Sequence, residues 1–302
     1  MLQAIRVIRP GTLAEWIVAI AAVHIGLGLG VWVYWQMGGG FGAVRWYFDG
    51  PGAIALLGFA VMETALAGLV WSNFNWSQPM WASWGCLTLA GAVRTTGVVV
   101  AHILTAPAWL NPLPDWVGRE PLRGIGLMLT GPGHVLFVVL AMAIALQVYW
   151  SEGWKAGLRR VDWIALGAVG LYVLRQMYEL VFVYREEFVR EPYKLWNWVT
   201  DPLILVALGL ALLLYRTSGG YGSGGLVGRC WAMYALGLFL SAMGDMALWL
   251  EWSGRLTWSQ ISLLTWYIWY PAAAAYAAGP ALQWEAARSA RRAWVTAVSG
   301  TR

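Results

Sequence analysis

Apolar residues in this chain come in long continuous runs, not in the alternation of a half-buried strand or the three-to-four spacing of a surface helix. Eight runs reach roughly the twenty residues that cross a hydrocarbon core of about 30 Å. They cover residues 13–37, 51–71, 80–105, 122–150, 161–184, 196–215, 226–250 and 260–283. Breakers separate them: Gly38-Gly39-Gly40, residues 73–79, Asn111-Pro112-Leu113-Pro114, residues 186–192 and the Gly/Ser-rich stretch 218–225. In lipid every backbone polar group must be satisfied within its own segment, so runs of this kind predict helices. The expected fold is all-α, a polytopic integral membrane helical bundle of eight transmembrane helices in a single membrane domain, 1–302. Phe48-Asp49-Gly50-Pro51-Gly52 before the second helix echoes Val199-Thr200-Asp201-Pro202 in the sixth, which fits two related four-helix halves, 1–155 and 156–302.

Composition agrees with the pattern. Only 12% of the 302 residues are charged, against the roughly 25% usual in a soluble domain. The net charge of +5 is spread to orient a membrane protein and outlines no basic groove for nucleic acid. With the N-terminus inside, the inner side carries Arg6, Arg9, Lys155, Arg159, Arg160, Arg216, Arg229, Arg288, Arg291, Arg292 and Arg302. The outer loops carry fewer basic residues, Arg45, Arg119, Arg123, Arg185, Arg190, Lys194 and Arg255, offset by acids. Both termini are therefore expected on the cytoplasmic side of the cell membrane, with the arginine-rich C-terminal tail facing anionic headgroups. The run after Arg6 and Arg9 continues to Met37 without a small-residue cleavage site and reads as a retained helix. Most of the 23 tryptophans fall near helix ends, as in an interfacial aromatic belt. Cys86 and Cys230 have no paired spacing, so neither a disulfide framework nor a zinc site is expected.

Ionisable side chains that cannot reach an interface carry the chemical information, since each costs ~2.5–3.5 kcal/mol to insert unless it faces protein or water. They are Glu63, Arg94, Arg175, Glu179 and Asp245, with Asp201 shallower. Tyr172, Arg175, Gln176 and Glu179 make one polar stripe on the fifth helix, and that stripe is expected to face inward. Gly91, Arg94, Thr95 and His102 share an arc of the third helix, and Gly237, Ser241, Gly244 and Asp245 a narrow face of the seventh. Trp266 and Trp269, deeper in the eighth helix, would suit a wall around a ring-shaped ligand. Most of these polar groups come late on outward-running helices or early on inward-running ones, which points to a cavity open to the outer side. Of the three histidines, only His102 and His134 sit where two imidazoles would ligate one haem iron, the second beside the Gly131-Pro132-Gly133 kink. Each histidine would equally serve as a hydrogen-bonding partner for a buried neighbour. A retinal pigment is disfavoured, because Lys155 and Lys194 lie in loops.

The order Trp198-Val199-Thr200-Asp201-Pro202, an apolar helix ending at Arg216, a Gly/Ser loop, Arg229-Cys230-Trp231, Gly244-Asp245 and Trp266-Tyr267 resembles the multi-helix membrane sensor regions of bacterial signalling proteins such as membrane-bound diguanylate cyclases. The resemblance covers residues 195–283 and departs from that family in having no cytoplasmic output domain after the eighth helix. It implies a free-standing binding module, or a subunit passing its state to a partner protein. The leading expectation is an integral membrane binding or sensory module with an outward-facing polar cavity. The alternative is a membrane subunit of an electron-transfer complex holding haem b or quinone. A secondary transporter would need helices broken near Pro132 and Pro271. An enzyme is least expected, for no nucleophile and base stand at usable spacing.

Overall fold

The computed structural model describes residues 12–104, 119–153, 157–183, 192–219, 226–252 and 258–299, and among them there is helix and turn but no strand. Helix α1 (Leu13–Gln36) starts at a capping box, in which the Thr12 hydroxyl accepts from the Glu15 N–H while the Glu15 carboxylate accepts from the Thr12 N–H. A turn through Gly38, at φ +96°, leads to the short α2 (Phe41–Tyr47). The remaining helices are α3 (Ala53–Trp71), α4 (Met80–Val98), α5 (Arg119–Met128), α6 (His134–Ser151), α7 (Arg160–Tyr178), α8 (Pro192–Gly219), α9 (Leu226–Trp252) and α10 (Trp258–Ser299).

Among the described residues, five helical stretches are long and apolar enough to cross a membrane: Leu13–Gln36, Gly50–Trp71, Met80–Ile103, Leu122–Ser151 and Val199–Ser218. Of the other three runs expected to span, residues 161–183, 226–250 and 260–283 are helical, in α7 with the turn after it, α9 and α10. Helix α10 also runs past residue 283 to Ser299, so the arginine-rich segment continues the helix.

Four five-residue π-helical turns interrupt the rods: Phe48–Gly52 before α3, Val99–Ile103 after α4, Leu129–Gly133 before α6 and Glu179–Val183 after α7. Pro51 and Pro132 lie in two of them, and the wider turn accommodates a residue that cannot donate to the helical ladder. The kink expected at Pro132 is thus a bulge within a continuous span.

Packing follows a closed circuit. Helix α3 packs on α4, α4 on α6, α6 on α8, α8 on α9, α9 on α10, and α10 returns to α3. Residues 1–155 supply three consecutive members of this ring and residues 156–302 the other three. Helix α1 lies outside it against α10, and α7 lies outside it against α8. Small residues allow the close approaches: a Cβ on Gly237 would meet the Tyr276 ring at 2.8 Å, and one on Gly244 the Trp269 indole at 2.4 Å. The run Ala272–Ala275 with Ala277 and Ala278 is buried, which lets neighbours close around α10. Exposed Trp16, Trp76, Trp150 and Trp163 ring the end where α1 begins, as an interfacial belt would.

Candidate functional site

Each ring helix contributes a polar side chain to the interior. Glu63 of α3 has no exposed surface, and its two oxygens are divided between two donors. Arg94 Nη1 of α4 donates to Oε2 at 2.9 Å, and His134 Nε2 of α6 stands 3.1 Å from Oε1. A carboxylate only accepts, so His134 presents its Nε2 proton to Glu63. One rung along, the Thr64 and Thr95 hydroxyls pair at 3.0 Å, and a Cβ on Gly91 would lie 2.8 Å from the Thr64 hydroxyl oxygen. Gly91 therefore lets α3 and α4 come close enough for the buried ion pair to form.

Tyr276 of α10 reaches across the ring. Arg94 lies over its ring, 5.0 Å from the centroid, and the His134 ring meets it edge to face at 4.9 Å. Its hydroxyl pairs with Ser241 Oγ of α9 at 3.1 Å. One turn beyond Ser241, the Asp245 carboxyl neighbours that of Asp201 on α8. Two carboxyl groups side by side inside the ring call for a positive charge or a proton to balance them. The result is an axis of polar groups from the Asp201–Asp245 pair through Ser241 and Tyr276 to the Glu63–Arg94–His134 triad. Tyr234 lies beside this triad, fully buried, with no hydrogen-bond partner for its hydroxyl.

The other candidates fall elsewhere. The stripe expected to point inward on α7 lies on the outside: Tyr172 is 42% exposed and the Arg175 side chain 66%. Arg175 pairs with Glu179 of its own helix at 2.9 Å, an i,i+4 contact that relieves both charges without turning the face inward. Helix α7 docks instead through Asp162, which accepts from the Arg159 N–H and from Arg216 Nη2 of α8, each at 2.8 Å. The side chains of Gln176 and Trp266 lie outside the described residues. His102 stands in the Val99–Ile103 π turn, while His134 Nε2 is engaged by Glu63. Among the described residues no three His, Cys, Asp or Glu side chains group as a metal site. His24 belongs to a separate cluster, 2.8 Å from the Tyr47 hydroxyl through Nδ1, with its Nε2 buried and unpartnered.

Sequence reasoning missed three members of this system: His134 as a partner of Glu63, and Tyr276 and Tyr234 as groups facing the triad. Tyr276 stands in an alanine-rich stretch, and an isolated tyrosine among alanines on an interior helix was the available signal. The chain matches no family model, no curated protein sequence and no solved structure.

Proposed function

We propose that this chain is an eight-span module of the cell membrane with both termini cytoplasmic, which binds a small cation from the outer side at Asp201 and Asp245 and reports to a partner protein. The proximity of the Asp201 and Asp245 carboxyl groups, on two ring helices that pack together, carries this reading. Two neighbouring acids inside a helical ring form a place where a cation balances charge that a proton would otherwise have to neutralise. Below them Glu63 is already matched by Arg94, so the unbalanced negative charge belongs to the outer pair. The arginine bias sets the orientation, and with it the side from which the pair is reached.

Thermal unfolding of the nanodisc-embedded protein in sodium, potassium and methylammonium salts, each against choline as a bulky reference, tests the reading. At least one of the three is expected to raise the midpoint, by an amount that grows with concentration and reaches about 2.7 kcal/mol of added stability at a hundredfold excess over Kd. Asp245→Asn should remove the increment. No cation-specific shift, or one that survives Asp245→Asn and Asp201→Asn, would remove the basis for the proposal.

A further inference from the structure

Helix α10 touches both the acid pair's helix and the far end of the molecule. Near Asp245, the indole of Trp269 fills the notch left by Gly244. Two turns on, the Tyr276 hydroxyl holds Ser241. At its other end Glu285 accepts the N–H of Leu13, the first residue of α1, and Arg291 Nη2 donates to Asn73 Oδ1 at 3.0 Å in the turn between α3 and α4. Pro271 and Pro280 flank Tyr276 within this one helix. A proline has no N–H to offer the carbonyl four residues earlier, so the Tyr276 carbonyl loses its helical partner at Pro280 and the Tyr267 carbonyl loses its own at Pro271.

We infer that α10 is a lever: a change at the Asp201–Asp245 pair moves Tyr276 through Ser241, and the segment beyond Pro280 carries that movement to the Glu285 and Arg291 contacts. The inference rests on the proposed role of the acid pair, and it supplies the way in which occupancy there is read on the cytoplasmic side. The element has two arrangements to exchange, with the inner contacts made or released. The Pro280 break lets those contacts change without rebuilding the ring around the triad. A contact released at the N-terminus of α1 frees backbone N–H groups that Glu285 now covers, so the movement has a local readout.

Amide hydrogen exchange of the full chain in nanodiscs tests the lever without any ligand, so its failure is separable from failure of cation binding. Asp245→Asn changes the acid pair at nearly constant shape and is expected to alter exchange in the first turn of α1 about fivefold, equivalent to about 1 kcal/mol. In a Tyr276→Phe background, which removes the bond to Ser241 and keeps the ring beside Arg94, the same substitution should leave that turn unchanged. Ser241→Ala provides the same cut from the other side should Tyr276→Phe fail to fold. No response to Asp245→Asn, or an equal response in the uncoupled backgrounds, would overturn the inference.

Discussion

Arg94→Met is expected to destabilise the protein by about 3–5 kcal/mol, because it strips the buried Glu63 carboxylate of its cationic partner where water cannot replace it. Glu63 has no exposed surface and Arg94 is 8% exposed, so the remaining charge would have only the His134 proton to lean on. Removing both charges with Glu63→Leu and Arg94→Met should cost less than Arg94→Met alone. The contrast is the pair on α7. Arg175 and Glu179 are also 2.9 Å apart, but they lie on an exposed face and should couple by less than about 1 kcal/mol. Two double-mutant cycles on unfolding of the detergent-purified protein measure both quantities. Additive losses at Glu63 and Arg94 would show that the triad is not a coupled unit.

Two glycines of α5, two residues apart and so on opposite faces of the helix, should behave oppositely. A Cβ on Gly126 would stand 2.4 Å from the Ala101 backbone nitrogen and 2.7 Å from its Cα, so the π turn after α4 would have to move away. Gly126→Ala is expected to cost about 1–3 kcal/mol by overpacking. A Cβ on Gly124 meets nothing within 4 Å, and Gly124→Ala should gain up to about 1 kcal/mol from helix propensity. The difference between the two unfolding midpoints is the measurement. Equal effects would mean that α5 and the π turn do not approach as described.

Helical class and most helix boundaries were legible in the sequence because continuous apolar runs leave lipid-embedded backbone one solution, hydrogen bonding within the segment. The small face of α9 was legible too: Gly237 and Gly244 do receive aromatic rings of α10. Partner choice was not. Residues 63, 94 and 134 sit on three helices, and their convergence depends on the order of helices around a ring, which periodicity within a run does not encode. The α7 stripe shows the opposite failure. Clustering of polar residues on one face was real, and Arg175 does pair with Glu179, but that i,i+4 salt bridge satisfies both charges locally, so the face need not turn inward. The π turns were foreshadowed only at Pro132, since the other three leave no mark in hydropathy.

Reagent access to the acid pair bears most directly on the proposal that the ring holds a binding site open to the outer side. In a background with Cys86→Ser and Cys230→Ala, single cysteines at Asp201, Asp245 and, as a fully buried reference, Ala211 would be exposed to a small membrane-impermeant thiol reagent applied to intact cells or to inverted vesicles. The account predicts modification of Asp201→Cys and Asp245→Cys in intact cells and no modification of Ala211→Cys from either side. Modification of the two aspartate positions only in inverted vesicles, or from neither side, would contradict it.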